Sequence, residues 1–337
     1  MRAVLVNEFG PIESHAIADL PDPEPGPGEV LIENRAIGIN FPDTLMLRGR
    51  YQKRPPRPFV PGRDCAGVVR SVGDGVTRCK PGDRVVSQVF KGAFGQLVPA
   101  PQERCFPLPD GVSFEDAAAM ITVFNTAWVA IDMRAGVQPG DTVLVTGAAG
   151  GVGSAAIQLC KARGATVLAA VSSAEKANFV RACGADAVID TNAPDVDALK
   201  SHLKTQVAAA TGAAEGRGCD AVIETVGGDL FEASLRVLRF AGKLVIVGFA
   251  GGTIPAAKAN YLLYNNLTVM GAPLDIQFDM VYAGMEKGVN AWLALLAAGR
   301  LDSLITARYP LADFVEAFGE ITGRNVMGKI VLDPAAA

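Results

Sequence analysis

Residues 142 to 165, TVLVTGAAGGVGSAAIQLCKARGA, constrain the fold more than any other stretch of this 337-residue chain. Val143-Leu144-Val145-Thr146 is a short apolar, β-branched run of the kind that fills a buried strand. A glycine-rich turn follows, Gly147-Ala148-Ala149-Gly150-Gly151-Val152-Gly153. Ser154 to Arg163 reads as a helix with Ile157, Leu159 and Cys160 among its apolar positions, and Gly164 stands where a helix C-terminal glycine belongs. Thr166 to Val171 supplies a second strand. Strand, turn, helix and strand together make a βαβ unit, and that unit calls for a parallel sheet.

The chemistry of such a turn is anion binding. Gly150 and Gly151 lack a Cβ, so a pyrophosphate can approach the backbone, and Gly153 lets helix and strand pack closely. The free N–H groups and positive end of the helix then face the phosphates. Ala149, Gly150, Gly151, Val152 and Gly153 are therefore candidate contacts to a dinucleotide. Ala148 holds the place of the first glycine in the usual Gly-x-Gly-x-x-Gly pattern, and the flanking strands and helix give the pattern its weight.

The end of the second strand selects the dinucleotide. An NAD site usually places an acidic residue there to grip the ribose hydroxyls. Here the sequence reads Val171-Ser172-Ser173-Ala174-Glu175-Lys176, and Glu175 falls later, inside a helix-start signal beginning at Ser172 or Ser173. Ser172 and Lys176 suit a 2′-phosphate, by hydrogen bond and by charge, so the sequence favours NADPH over NADH. Each also has a plain reading, Ser172 as a cap and Lys176 as a solvated helix lysine.

The length makes two domains the natural expectation. A net charge of −4 gives no electrostatic case for nucleic acid or a membrane surface as partner. The N-terminus has no signal-peptide pattern, and no apolar run reaches ~18 residues. Cys65, Cys79, Cys105, Cys160, Cys183 and Cys219 lie far apart, without a CxxC pair or metal spacing. They read as reduced thiols in a cytoplasmic protein.

Residues 1 to 120 carry short apolar runs between Pro/Gly turns, such as Ala3-Val4-Leu5-Val6, Val30-Leu31-Ile32 and Gly67-Val68-Val69, and read as mostly β. Residues 114 to 134 read as helical, with Ser113 as cap and Asp116 three residues on. Residues 139 to 273 alternate strand and helix. Strands are expected at 143–146, 166–171, 187–189, 221–224, 244–247 and 267–270, a six-stranded doubly wound sheet. After Leu274 two helices and a final strand, Lys329 to Leu332, are expected. With no linker before 274, the tail is expected to return to the first domain. The expected division is 1–120 with 274–337, and 121–273.

Four segments carry a resemblance over essentially the whole length: Gly38-Ile39-Asn40-Phe41-Pro42-Asp43, Pro61 to Val69, the glycine turn, and Gly328 to Leu332. The chain resembles the medium-chain dehydrogenase/reductase superfamily, in its zinc-free quinone oxidoreductase branch related to zeta-crystallin. The resemblance implies an α/β fold: a GroES-like, mostly-β catalytic domain beside a Rossmann domain.

Zinc-dependent relatives place a cysteine near Asn40 and a His-Glu pair near Arg63-Asp64. Neither position here carries the thiolate or imidazole that catalytic zinc requires. Only His15 and His202 occur in the chain, and Lys91 to Pro99 passes the structural-zinc region without a cysteine. No metal is expected.

By the same resemblance the cleft between domains is lined by Asn40, Asp43, Tyr51 and Thr122 to Thr126, with Thr122 and Thr126 also near the cofactor. Asn40 and Asp43 serve equally well as caps of the next helix. Tyr51 reads as an acceptor-stacking or proton-donating phenol, or as packing. Arg63 reads as a cation near the acceptor or a surface residue. Gly248, Phe249, Ala250, Gly271 and Ala272 follow the fifth and sixth strands, at the edge where ligands bind open α/β sheets. Asn325 and Lys329 fall where relatives reach the cofactor, and Lys329 also reads as the flank of a strand. The implied activity is zinc-independent, NADPH-dependent hydride transfer to a quinone. Reduction of an activated C=C bond is the alternative, and a nucleotide-binding protein with little catalysis is the alternative of another class. The short apolar strand at 267–270 is expected at a sheet edge, and a homodimer is expected around residues 260 to 272.

Overall fold

The switch from turn-rich apolar runs to alternating strand and helix along the sequence becomes a switch from antiparallel to parallel pairing in space. The structure, a computed structural model, describes residues 1–323 and 326–336. Among those residues the first strands are β1 (Arg2–Leu5), β2 (Ala16–Asp19), β3 (Glu29–Gly38), β4 (Asp64–Val72), β5 (Arg84–Gln88), β6 (Leu97–Pro101) and β7 (Cys105–Pro107). Then come β8 (Thr142–Val145), β9 (Thr166–Val171), β10 (Ala187–Asp190), β11 (Cys219–Glu224), β12 (Leu238–Ile246) and β13 (Thr268–Gly271), followed by β14 (Ile305–Pro310) and β15 (Lys329–Asp333). The chain forms two compact units, Met1–Thr122 with Val289–Ala337, and Val123–Gly288.

In the second unit the sheet order is β10-β9-β8-β11-β12-β13, with every neighbouring pair parallel. Counted within the unit this is 3-2-1-4-5-6, the Rossmann order, and the strand order reverses beside β8. Helices α1 (Phe41–Leu47) and α2 (Phe114–Trp128) precede this sheet. Its crossovers are α3 (Gly151–Ala162), α4 (Ala174–Ala182), α5 (Val196–Thr211), α6 (Gly228–Ser234) and α7 (Ala259–Asn265). Leu144, Leu168, Val222 and Leu244 from the strands pack with Leu199, Leu203, Val207 and Phe231 from the helices. Each such side chain, once buried, contributes about 1.5–3 kcal/mol. Both faces of the sheet are covered, which is why its strands read as continuous apolar runs.

In the first unit β3 is the long central strand, antiparallel to β4, β6 and β15. The sheet runs β14-β15-β3-β4-β5-β7, with β6 also on β3, and is the GroES-like half of the fold. Ile37, Ile39, Met46, Phe59, Phe94, Phe318, Ile330 and Leu332 form one core beside it, and Val30, Ile32, Val69, Val85 and Val98 form another. β15 joins β3 at Val331–Gly38, so the tail does return to the first sheet.

Two expectations need correction. From Leu274 on there are three α-helices and two strands among the described residues, not two helices and one strand. Val281, at φ −138° and ψ 51°, separates Leu274–Met280 from Tyr282–Ala297, and the third helix is Phe314–Thr322. β14 escaped notice because it alternates half-buried and exposed residues and carries Arg308. β12 starts at Leu238, six residues before the apolar run, because Arg239, Phe240 and Ala241 are exposed and Ala241 takes φ +61°. No helix among the described residues is long and apolar enough to cross a membrane.

Candidate functional site

The residues expected to carry chemistry fall into two clusters, one in each unit. The first forms where α1 leaves β3. Asp43 caps that helix, its Oδ2 accepting from the Asn40 backbone N–H at 2.8 Å. The Asn40 side chain faces elsewhere. Its Nδ2 donates to Asp64 Oδ2 at 2.8 Å, and its Oδ1 accepts from Lys329 Nζ at 2.7 Å. Lys329 also donates to the Ile39 carbonyl at 2.7 Å. The second oxygen of Asp64 accepts from Thr122 Oγ1 at 2.5 Å, and Thr122 accepts in turn from Gln88 Nε2 at 2.5 Å. Capping and site roles are thus divided between Asp43 and Asn40.

Every member is buried, including Asp43 and Asp64 at 0% exposed, Arg63 at 3% and Lys329 at 4%. Buried charges persist only when paired and hydrogen-bonded. Burial pushes the Asp43 carboxyl up to about 7, helped by the Asp64 charge and opposed by Arg63. Burial also raises Asp64 and lowers Lys329, while Lys329 and Asp64 each pull the other back toward its charged form. Asp43 Oδ1 lacks a hydrogen-bond partner among the described residues, a position that costs less for a neutral acid than for a carboxylate. The Arg63 Nη1 donates to the Tyr51 phenol oxygen at 3.0 Å, and its guanidinium lies 5.6 Å from the centre of that ring. Asn40, Asp43, Tyr51, Arg63, Thr122 and Lys329 are therefore brought together, and Lys329 belongs to this ionic cluster. Asp64 and Gln88 complete it.

The second cluster lies at the carboxyl end of β8. Gly147 takes φ +56°, and a Cβ there would strike Thr225 Oγ1. A Cβ on Gly153 would fall onto the Gly147 carbonyl oxygen and 2.6 Å from Ala148 Cα. Close helix–strand packing is thus the role of Gly153. Gly150 differs. It caps α3 with ordinary angles, φ −76° and ψ 171°, and a Cβ there meets only the Gly147 oxygen, at 3.4 Å. The space over Gly150 and the absence of an acidic residue in the first turn of α3 fit a phosphate at this helix end. Ala149 is buried, and Gly150, Gly151 and Val152 are half-buried.

β9 ends at Val171. Ser173, not Ser172, caps α4, its Oγ accepting from the Lys176 N–H at 3.2 Å. The Ser172 side chain is exposed, and its carbonyl accepts from Asn192 Nδ2 at 2.9 Å. Lys176 is half-buried one turn into α4.

A third element was missed by reading the sequence. The buried Glu224 carboxylate at the end of β11 accepts from Thr146 Oγ1, Val226 N and Gly227 N, each at 3.0 Å. Thr225 N and Oγ1 bond back to Thr146, and the Ala250 and Gly251 N–H groups bond to Thr225 and Val226. Glu224 so ties the glycine turn to Gly248-Phe249-Ala250 along one edge of the sheet. Burial raises its carboxyl and these donors oppose the rise. Its signal, a lone acid ending an apolar strand, is too common to single out from sequence.

Gly271 ends β13 and Ala272 is buried beside it, its N–H bonding to Ile246 O at 2.9 Å. Thr126 is buried in the second unit. Asn325 lies outside the described residues. No group of three or more His, Cys, Asp or Glu side chains among the described residues is placed to hold a metal.

Residues 26–110 match the family described as alcohol dehydrogenase GroES-like domain, and residues 151–279 the family described as zinc-binding dehydrogenase. Quinone oxidoreductase-like protein 2 of Rattus norvegicus is 35% identical over 308 residues, 91% of this chain and 85% of that protein. The Escherichia coli quinone oxidoreductase, solved in complex with NADPH, superposes with a TM-score of 0.89 at 30% identity, over 99% of this chain and 100% of that one. A mycobacterial protein, also solved with NADPH, gives 0.90 at 34% identity over the same shares.

Proposed function

We propose, from the premise that this chain belongs to the medium-chain dehydrogenase/reductase superfamily in its quinone oxidoreductase branch, that it reduces a quinone-type acceptor with NADPH and without zinc. The chain is an oxidoreductase whose cofactor is NADPH. The observation that carries the finer reading is the ionic cluster of the first unit. An amide, a guanidinium and a carboxylate already bonded through Asn40 to Lys329 make a poor zinc site, since a catalytic zinc needs about three protein ligands. The buried Lys329 ammonium supplies positive charge at that place instead.

NADPH supplies the hydride. The residues of this chain hold and polarise. The N–H groups at the start of α3, with Gly150 and Gly151, take the pyrophosphate, and Ser172 and Lys176 take the 2′-phosphate. Gly248 to Ala250, Gly271, Ala272, Thr122 and Thr126 contribute further cofactor contacts. Adding hydride to a quinone leaves an anionic oxygen that needs a proton or a hydrogen-bond donor. Tyr51 is our choice for that donor, because the hydrogen bond from Arg63 Nη1 fixes its phenol oxygen. Residues 1–120 with 274–337 act as the catalytic domain and 121–273 as the cofactor domain, in a cytoplasmic setting.

The test is NADPH consumption across quinones, enones and enoyl thioesters after dialysis against a strong chelator. Turnover of quinones is expected. Turnover of enoyl thioesters alone moves the reading to C=C reduction, tight binding without turnover moves it to a nucleotide-binding protein, and activity that needs added zinc overturns the metal-free part. Lys176→Ala should weaken NADPH roughly tenfold to hundredfold while leaving NADH little changed, because a charge-assisted contact is worth about 1.5–3 kcal/mol. Equal weakening of both cofactors would make Lys176 structural.

The assembly we propose is a homodimer around residues 260 to 272. β13 is the edge of its sheet, and Leu263 and Tyr264 just before it are 84% and 85% exposed. Light scattering at micromolar concentration should give twice the chain mass, and Tyr264→Glu should shift it toward monomer. A wild-type monomer would defeat the proposal.

A further inference from the structure

The stretch from Thr44 to Arg63 holds six of the chain's 31 lysines and arginines and not one acid: Arg48, Arg50, Lys53, Arg54, Arg57 and Arg63. The whole chain, by contrast, has a net charge of −4. So dense a run of like charge repels itself and costs stability unless partners offset it. Some members have such partners. Arg63 is buried against Tyr51. Arg57 pairs with Glu8 and lies 4.9 Å from the centre of the Phe9 ring. Arg48 caps the C-terminal end of α1, where the helix dipole favours a cation. Lys53 is exposed, with its Nζ 5.9 Å from the centre of the Phe90 ring. Arg50 and Arg54 differ. Both are exposed, and neither side chain pairs with an acid among the described residues.

The run is tied down at both ends. Arg50 N and Tyr51 N bond to the Leu45 carbonyl, at 2.7 and 3.2 Å. At the far end Phe59 exchanges two backbone bonds with Val6, at 3.2 and 2.9 Å, and Gly92 N bonds to Val60 O at 2.8 Å. Pro55, Pro56 and Pro58 stiffen what lies between. The cations therefore keep their place around Tyr51. Arg50 is its neighbour, and Lys53 and Arg54 follow within three residues, so all three backbones lie within ~11 Å of it. That span is about one Debye length at ~0.1 M salt, so their fields reach the phenol.

We propose that Arg50, Lys53 and Arg54 are specificity-determining residues, and that the acceptor carries an oxyanion, a carboxylate or a phosphate, remote from the atoms that take the hydride and the proton. The inference rests on the reading of Tyr51 as the donor at the acceptor site. The strip draws the anionic end in and leaves the neutral ring to the phenol. An exposed guanidinium meets carboxylate or phosphate through paired N–H donors, and an ammonium meets either as a point charge. The remainder of the chain is net acidic, so it repels a broad polyanion and leaves a small anionic group to this strip.

The test uses the full chain, NADPH and four 1,4-naphthoquinones that share one ring and one propyl tail, ending in methyl, carboxylate, phosphate or trimethylammonium. In ~0.01 M salt, where the Debye length is ~30 Å, an anionic tail should raise kcat/KM roughly tenfold over the methyl tail, and the trimethylammonium tail should lower it. The larger of the carboxylate and phosphate effects identifies the group. In ~1 M salt, where the Debye length is ~3 Å, the ratios should fall to about two or less. The triple variant Arg50→Gln, Lys53→Gln, Arg54→Gln should show the same collapse at low salt. Each ratio is taken within one protein, so a general loss of activity in the variant does not disturb it, and the wild-type ratios stand even if the variant folds poorly. Anionic and methyl tails within about twofold of each other in the wild type at low salt would overturn the proposal, as would a tenfold ratio that survives in the triple variant. If no naphthoquinone is turned over, the quinone reading is what fails. Equilibrium dialysis of the same four compounds against the protein then reads the tail preference by itself, and equal binding of anionic and methyl tails would overturn it.

Discussion

Lys329→Met should lower the stability of the first unit by about 3–5 kcal/mol, because it removes one partner from a buried ionic cluster and leaves the others in place. Methionine nearly matches the length of the lysine stem, so little packing is lost and the charge is the main change. Among the described residues Asp64 and Asp43, both fully buried, would keep only Arg63 as a nearby cation. The Asn40 Oδ1 and Ile39 carbonyl would lose a donor as well. For a unit of this size the loss corresponds to a fall in Tm of roughly 6–20 °C. Scanning calorimetry measures it. A second substitution, Asp64→Asn, should restore more than half of the loss, since it removes the charge left unbalanced while keeping an acceptor for Thr122. A Tm change of under roughly 2 °C for Lys329→Met would mean that the ammonium contributes nothing net.

Gly153→Ala should damage both stability and cofactor binding, and Gly150→Ala should damage only binding. The methyl group at 153 would meet backbone atoms of Gly147 and Ala148, which cannot swing aside as a side chain can. Forcing the turn away from the helix costs about 1–3 kcal/mol and moves the N–H groups at the start of α3 that we propose take the pyrophosphate. NADPH should weaken by at least roughly tenfold, since each 1.4 kcal/mol is about one decade. At 150 the methyl group meets a single oxygen at 3.4 Å and the backbone angles suit alanine, so Tm should hold. NADPH affinity should still fall, because a phosphate needs the space over that Cα. Fluorescence titration with NADPH and thermal melts on both variants separate the two effects. Unchanged affinity in Gly150→Ala would place the pyrophosphate elsewhere.

The part of the site that could be read in the sequence is the part whose physics is local. Gly153 sits where two backbone segments touch within seven residues of chain, and the strand and helix patterns around it are periodic. Ser173 and Lys176 likewise fall within one cap. The ionic cluster is different. Asn40 meets Asp64 at a separation of 24 residues, and Lys329 meets Asn40 at 289. No periodicity links such positions, so resemblance alone suggested Asn40, Asp43 and Arg63, and it did not supply Gln88 or the partnership of Lys329. Glu224 was invisible for the same reason, since its bond to Thr146 spans 78 residues. Cys65, Cys79 and Cys105 are likewise scattered in sequence yet gathered in one core, and all six cysteines are free thiols, as their spacing led one to expect.

The return of β15 to β3 imposes an order on the birth of the protein. The unit Val123–Gly288 is continuous, so all six of its strands have left the ribosome before β15 is made. The other unit waits for a segment translated more than two hundred residues after its own Thr122. Until then the flank of β3 that will meet β15 is open, and Asp64 must stay hydrated, because Lys329, its main counter-charge, does not yet exist. A nascent chain of this design therefore carries an unpaired sheet edge through most of its synthesis, and such edges recruit other chains. Ribosome stalling within the span between β13 and β15 would be the moment of greatest danger, with one half finished and the other still lacking its last strand and its buried cation.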